Sequence, residues 1–136
     1  MDLAKLTISE IQQGFRAGTF TPTDLLRALE LRIQSAEPTI QAFLSRDFQT
    51  ALKEAGSADV SLPLGGIPIG IKDVINVKGQ PCTAASQILR GYTAPYDATV
   101  ITKLRAAGAI PYGRLNMDEF AMGSSTENSS LSLIHI

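Results

Sequence analysis

The sequence is poor in several features that would mark specialised classes of protein. It has one cysteine, one histidine and a formal net charge of -1 over 136 residues. A single cysteine, Cys82, cannot close a disulfide within the chain, which favours a reducing compartment. We expect it to be a small buried hydrophobic residue. Because there is no basic excess, we expect no autonomous binding to nucleic acid.

The chain also lacks long apolar runs. None approaches the ~20 residues that a helix needs to cross a bilayer. The first residues (MDLAK) show no basic stretch followed by an apolar one, so no secretory signal is predicted. Hydrophobic residues make up 44% and charged residues 18%, a balance typical of a globular protein. We therefore expect one soluble, intracellular domain with no membrane contact.

The first half of the sequence predicts three helices. Each begins at a residue type that caps helix N-termini: Thr7, Thr21 and Asp47. The first has the spacing of a capping box, and the second has a proline at its first helical position. The second helix carries an apolar stripe and is predicted to end before Pro38, and the third is predicted to stop at Gly56.

Beyond residue 60 the apolar pattern changes from helical spacing to alternation. Residues 62–77 predict a strand, a turn and a second short strand over 74–77. Asp97 is predicted to cap a helix that ends at Gly108, and residues 109–113 predict a further strand. That helix is predicted to present one apolar side, formed by Val100, Ile101 and Leu104. A strand, a helix and a strand at this spacing predict a parallel crossover and an α/β sheet.

Residues 65–73 (GGIPIGIKD) place Lys72 at the end of an apolar strand. Ile67, Ile69 and Ile71 alternate onto one face of that strand. Two interpretations are open. The strand can end in a solvent-facing Lys-Asp turn, or Lys72 can enter a crowded apolar site. Desolvation there would lower the lysine pKa and make the side chain a base for a nucleophile.

A second informative stretch, residues 115–128 (LNMDEFAMGSSTEN), follows the last predicted strand. In an open α/β sheet, ligands bind beyond the carboxyl ends of the strands. A loop with glycine and small hydroxyl residues can offer hydrogen bonds to a polar substrate. The alternative is a polar surface loop in which Asn116 caps a short helix.

Together, GIPIGIKD at 66–73 and NMDEFAMGSSTE at 116–127 resemble the amidase signature family. The second segment is typical of the A subunits of tRNA-dependent amidotransferases, and the likeness runs from about residue 6 to residue 130. The resemblance implies an α/β fold in which N-terminal helices precede the start of a mixed, largely parallel sheet. It implies that Lys72 is the base of a Ser-cisSer-Lys triad. It also implies that Met122, Gly123 and Ser124 line the substrate pocket, and it gives Asp73 no chemistry.

The same resemblance implies a glutaminase that hydrolyses glutamine through an acyl-enzyme, in a bacterial cytoplasm or in the stroma or matrix of an organelle. The ammonia would pass to a B subunit, where ATP and magnesium serve the amidation of Glu-tRNA(Gln) or Asp-tRNA(Asn), and a small C subunit would clamp the assembly. No cofactor or metal is expected in this chain itself. Its lack of a phosphate-binding glycine motif and of a basic patch agrees with that expectation.

The end of the sequence departs from the family pattern. Both serines of the triad are expected in a glycine- and serine-rich segment after residue 130, but residues 131–136 read LSLIHI. We predict that residues 1–130 are the N-terminal part of a truncated amidase signature domain. Residues 131–136 are predicted to be a non-family, artefactual tail in which His135 has no catalytic role. The isolated chain is then predicted to be inactive and prone to aggregate.

Two other functions stay open at this point. The chain can belong to a different hydrolase of the same family, acting on small amides. It can also be a non-catalytic module that binds the B subunit through its helical N-terminus.

Overall fold

The structure, a computed structural model, describes residues 1–131 of the chain. Within that range it contains four α-helices, three strands and three single turns of 3-10 helix. The α-helices and strands are, in chain order, α1 (Ile8–Arg16), α2 (Pro22–Ile40), β1 (Phe43–Ser45), α3 (Phe48–Gly56), β2 (Pro68–Lys72), α4 (Thr99–Ala106) and β3 (Ile110–Leu115). The 3-10 turns are Leu3–Lys5, Gln87–Leu89 and Glu119–Ala121.

The three strands form one mixed sheet. Their order is β1-β3-β2. β2 pairs with β3 in parallel, and β1 pairs with β3 in the antiparallel direction. The helix α4 lies in the connection from β2 to β3, so the predicted crossover between parallel strands is confirmed, and with it the α/β class. The three-residue strand β1 was not predicted from the sequence.

The predicted helix starts are confirmed. Thr7 and Glu10 form a complete capping box, in which the Glu10 carboxylate accepts from the Thr7 amide at 2.7 Å. Thr21 and Asp24 form a second one, with the Asp24 carboxylate 2.9 Å from the Thr21 amide. Asp47 caps α3 through its side chain. Each cap joins residues three apart, so it satisfies an exposed helix amide without any tertiary contact.

The predicted end of α2 before Pro38 is wrong. The helix continues through Pro38 to Ile40 and ends at Gln41. A proline this close to a helix end removes only one hydrogen bond, and its fixed φ is compatible with helix. Gln41 ends the helix because it adopts a left-handed conformation (φ 53°), with its amide donating to the Glu37 carbonyl at 2.9 Å.

The strand predicted over 62–77 is shorter than expected, and the second strand over 74–77 does not form. Only Pro68–Lys72 pairs with the sheet. Directly after it the chain turns, because the Ile75 amide donates to the Lys72 carbonyl at 3.0 Å. Val77 is buried in a cluster with residues of β2 and α4. Ile75 and Val77 therefore pack against neighbouring elements rather than pair in a strand, and Val74 is exposed.

Two details of the helix predicted near residue 100 are also wrong. Ala98 occupies the cap position of α4, and Asp97 instead accepts from the Lys78 amide at 2.7 Å. That long-range bond takes the carboxylate that the helix start would use. Val100 is 46% exposed while Ile101 is fully buried. Adjacent positions on a helix point about 100° apart, so burying Ile101 turns Val100 outward.

The core consists of three clusters that position the sheet. The first packs α1 and α2 against the start of β2, the second packs α2 and α3 against β3, and the third packs β2 against α4. α2 joins the first two, because Leu25 belongs to one and Leu26 to the other. In the described residues no helix is both long and apolar enough to cross a bilayer.

Candidate functional site

The carboxyl ends of the parallel strands β2 and β3 lie side by side. Lys72, the last residue of β2, is in register with Leu115, the last residue of β3. Beyond these ends lies a shallow cavity of about 100 Å³. Its lining is formed by Lys72, Asn116, Met117, Asp118, Gly123, Ser124 and Thr126. The structure thus brings together the lysine strand and the later loop, which are two separate stretches of the sequence.

Three of the four site residues chosen from the sequence line this cavity. Lys72, Gly123 and Ser124 are among the lining residues, and Met122 is not. The Met122 side chain is 75% exposed. The assignment of Met122 to a substrate pocket therefore has no contact to support it within residues 1–131, and all four roles stay predictions.

The crowded, apolar surroundings predicted for Lys72 are not present in the described part of the chain. Ile71 is buried in the core, whereas Lys72 is exposed. Successive side chains of a strand point to opposite faces, so the core contact of Ile71 directs Lys72 away from it. The alternating isoleucines predicted the strand correctly, but they bury the face opposite the lysine.

Asp118 organises the loop that borders the cavity. One carboxylate oxygen accepts from the amides of Ser125 and Thr126 at 3.1 and 2.9 Å, and the other accepts from the Asn128 amide at 2.9 Å. These backbone hydrogen bonds lower the pKa of Asp118, and the charge of Lys72 lowers it further. A Cβ atom at Gly123 would lie 2.5 Å from Asp118 Cγ, so the loop closes over the carboxylate only with glycine there.

Asn116 joins the end of β3 to the same loop. Its backbone N–H donates to the Ala42 carbonyl at 2.8 Å. Its side-chain oxygen accepts from the backbone N–H of Met117 at 2.9 Å and from the Ser129 hydroxyl at 2.7 Å. The short helical turn here begins after Asp118 rather than after Asn116. The interpretation of Asn116 as a helix cap is therefore wrong, and its side chain instead fixes the loop.

Left-handed backbone conformations cluster beside the cavity. Six residues other than glycine have positive φ in the described chain, and five of them lie in two segments next to the site: Ala84, Ala85, Phe120, Ala121 and Thr126. The two segments touch, because the Phe120 amide donates to the Ala84 carbonyl at 3.0 Å. Such conformations cost about 1–3 kcal/mol each and concentrate at functional sites. Nothing in the sequence predicted them.

Sequence reasoning also missed a buried ion pair directly behind Lys72. Asp73 and Arg114 are each 2% exposed, and Arg114 Nε lies 3.2 Å from Asp73 Oδ1. Buried charges are rare unless paired. The run from Lys72 to Asp73 looks like an ordinary polar strand end in the sequence, so the only available signal was an unexplained acid next to the predicted base.

A larger cavity of about 410 Å³ lies beside α3, α4 and β3, and Lys72 does not line it. Its charged side chains include three arginines that pair with acids: Arg105 with Glu54 at 3.7 Å, Arg46 with Glu30 at 3.2 Å, and Arg114 with Asp73 at 3.2 Å. The larger volume of this cavity does not by itself indicate a catalytic function. The smaller one holds an exposed amine beside hydroxyl groups, which are the parts that acyl transfer uses. No group of three metal-ligating side chains stands close enough to hold a metal ion among residues 1–131.

The loop offers a direct test of the role of Asp118. We expect Asp118→Asn to speed hydrogen exchange of the Ser125, Thr126 and Asn128 amides roughly tenfold or more, because an NH₂ group replaces one charged acceptor. The matched variant Asp59→Asn, at an exposed site outside the loop, is expected to leave these amides unchanged. Equal exchange rates in both variants would contradict this role.

The same loop is expected to loosen in acid. The folded pKa of Asp118 lies below its ordinary value of 3.8, so the contribution of the carboxylate to stability is complete above that pH. It is lost as the pH falls through the lowered folded value.

Comparisons with known proteins show which family this geometry belongs to. The family model described as Amidase matches residues 24–133. The A subunit of the glutamyl-tRNA(Gln) amidotransferase of Methylacidiphilum infernorum is 50% identical over 98% of this chain and 27% of its own length. The crystal structure of the corresponding subunit from Thermotoga maritima superposes with a TM-score of 0.74 at 34% identity, covering 96% of this chain and 27% of that one.

A second solved structure, 6-aminohexanoate cyclic dimer hydrolase, has a TM-score of 0.88 at 27% identity, over 98% of this chain and 28% of its own. The chain therefore spans just over a quarter of the length of the relatives that it matches. Within that quarter, the sequence match covers both predicted segments, the lysine strand and the loop after β3. The chain belongs to the amidase family.

Proposed function

We propose that the chain is the N-terminal part of the glutaminase (A) subunit of a tRNA-dependent amidotransferase. The observation that carries the proposal is that Lys72 and the loop with Gly123 and Ser124 line one cavity at the carboxyl ends of parallel strands. Half of the residues are identical to those of a relative that bears that name, over nearly the whole chain. In the complete subunit, the reaction is the hydrolysis of glutamine to glutamate with release of ammonia.

In this proposal Lys72 acts as a general base through a bridging serine. Neutral Lys72 takes a proton from the bridging serine, which takes one from the nucleophilic serine, and the resulting alkoxide attacks the glutamine amide carbon. Lys72 returns its proton through the bridging serine to the amide nitrogen, ammonia leaves, and water hydrolyses the acyl-enzyme. Both serines belong to the part of the subunit beyond residue 131. In the complete subunit that part would also cover Lys72, which is exposed among residues 1–131.

The partners follow from the same proposal. The ammonia is used at a B subunit, where ATP and magnesium serve the amidation of Glu-tRNA(Gln) or Asp-tRNA(Asn), and a C subunit completes the assembly. The chain itself needs no cofactor for its own step. We expect no glutamine hydrolysis from the isolated chain, since it supplies the base without the nucleophile.

A hydrolase of small amides is the second candidate. The structural likeness to 6-aminohexanoate cyclic dimer hydrolase favours it, since the TM-score of that pair is 0.88 against 0.74 for the amidotransferase subunit. The higher sequence identity to the amidotransferase subunits argues for the first proposal. Activity on glutamine against activity on simple amides separates the two.

The test uses the full-length subunit, cloned by following the source gene past the codon for Ser130. We expect Lys72→Ala to lower kcat for glutamine hydrolysis by about 10²–10⁴-fold, the usual contribution of a general base. Released glutamate is measured with and without the B and C subunits. Lys78→Ala, which changes an exposed lysine that lines the other cavity, is the matched control and is expected to keep full activity. Full activity in Lys72→Ala would disprove the proposal.

A further inference from the structure

We propose that Asp73 is a positioning residue that holds Lys72 in fixed relation to the loop after β3, through the turn formed by residues 83–85. This inference rests on the proposed role of Lys72 as the base. It assigns a function to the Asp73 carboxylate, which has no role in the proposed reaction and was given none from the sequence.

The backbone of Asp73 is held from two sides. Its amide donates to the Leu115 carbonyl at 3.1 Å, and its carbonyl accepts from the Ala84 amide at 2.9 Å. Lys72 is the preceding residue, so these two bonds fix the plane from which its side chain leaves the strand. The position of the lysine therefore depends on both β3 and the 83–85 turn.

The carboxylate of Asp73 uses both oxygens. Oδ2 accepts from the Thr83 hydroxyl, from the Thr83 amide at 3.1 Å and from the Ala85 amide at 3.4 Å, while Oδ1 accepts from Arg114 Nε at 3.2 Å. The two terminal nitrogens of Arg114 are buried without a hydrogen-bond partner in the described residues. The Asp73 carboxylate thus binds the turn with one oxygen and Arg114 with the other.

The 83–85 turn is also hydrogen-bonded to the loop after β3, on the other side of the site from Lys72. The Ala84 carbonyl accepts from the Phe120 amide at 3.0 Å, and the Ala85 carbonyl accepts from the amide and hydroxyl of Ser130 at 3.2 and 2.6 Å. Ala84 and Ala85 have φ of 49° and 53°, which an alanine adopts only under constraint. Hydrogen bonds from their segment to a buried carboxylate supply that constraint.

These contacts form one continuous connection from the lysine to the segment that leads toward the serines expected in the complete subunit. It runs from Lys72 to Asp73, through the 83–85 turn, to Phe120 and Ser130. A base and a nucleophile carried by different segments need such a connection, because a displacement of 1 Å can cost about 10²-fold in rate. A merely structural ion pair would stabilise the fold without setting that distance.

Two variants of Asp73 in the full-length subunit separate these roles. Asp73→Ala removes the side-chain contacts to the turn and is expected to lower kcat about 10²-fold with KM changed less than about twofold. The double variant Asp73→Asn with Arg114→Met keeps one oxygen for the turn and removes the arginine that competes for it. We expect this variant to recover kcat to within about threefold of wild type.

Stability is controlled with Leu26→Ala, a buried substitution in the cluster of α2, α3 and β3, away from Asp73. All rates are measured well below the melting temperature of each variant. We expect Leu26→Ala to lower the melting temperature and keep kcat. Hydrogen exchange gives a readout independent of activity: the Phe120 and Ser130 amides are expected to exchange faster in Asp73→Ala and at the wild-type rate in Leu26→Ala.

The outcomes are distinct. Asp73→Ala with wild-type kcat and unchanged Phe120 and Ser130 exchange, beside an inactive Lys72→Ala, overturns the positioning role alone. A double variant as impaired as Asp73→Ala overturns it too, because the turn contacts would then not be the cause. If Lys72→Ala itself stays active, the proposed function fails whatever the Asp73 variants do.

Discussion

Replacing Arg114 with methionine is expected to lower the free energy of unfolding of the chain by about 3–5 kcal/mol. The arginine is 2% exposed and contacts an Asp73 carboxylate that is equally buried. Methionine fills a similar volume, so little of the loss comes from packing. The loss comes from the buried Asp73 carboxylate, which has lost the guanidinium that paired with it.

The measurement is urea unfolding of the full-length subunit, followed by circular dichroism. Arg90→Met is the matched control, since Arg90 is exposed, and we expect its effect to stay within about 0.5 kcal/mol. A second comparison is sharper. Adding Asp73→Asn to Arg114→Met removes the remaining charge, so the double variant is expected to be more stable than Arg114→Met alone. If Arg114→Met unfolds at the same urea concentration as Arg90→Met, the ion pair does not stabilise the fold.

The parts of the fold that the sequence predicted correctly are those set by neighbours along the chain. Thr7 and Thr21 each find their partner three residues later, so the helix starts follow from local chemistry. The errors arise where a contact with a residue distant in the sequence determines the local structure. Asp97 leaves its predicted cap position because the Lys78 amide, 19 residues away, competes for its carboxylate. The strand β1 exists only because β3 pairs with it, and three residues carry no pattern of their own.

The same division holds at the site. Lys72 and the loop with Gly123 were found because contiguous stretches of sequence carry the family's pattern. The Asp73–Arg114 pair joins residues 41 positions apart, and the connection to Ser130 passes through two alanines. Alanine has no functional group to attract notice, and its contribution here is a backbone carbonyl in an unusual conformation. Contacts of that kind become visible only when the chain is folded.

The path of the chain into β2 depends on a close crossing of two backbones. The Leu64 and Gly66 amides donate to the carbonyls of Ala107 and Gly108 at 2.7 and 3.0 Å. Gly65 lies between them, and a Cβ atom there would come 1.9 Å from the Asp59 carbonyl oxygen. No rotamer change relieves such a contact, because the backbone fixes the position of the Cβ atom and the oxygen is itself a backbone atom. The crossing matters to the site because it precedes β2, the strand that ends in Lys72.

We therefore expect Gly65→Ala to destabilise the chain by about 3 kcal/mol or more, at the upper end of the range for overpacked positions. Gly56→Ala is the matched control: an added Cβ there meets no atom within 4 Å, and the residue ends α3. Alanine is the better helix former by roughly 1 kcal/mol, so this variant is expected to match or exceed wild-type stability. Urea unfolding of both variants decides the matter. Equal stability would mean that the Asp59 carbonyl can move aside at little cost.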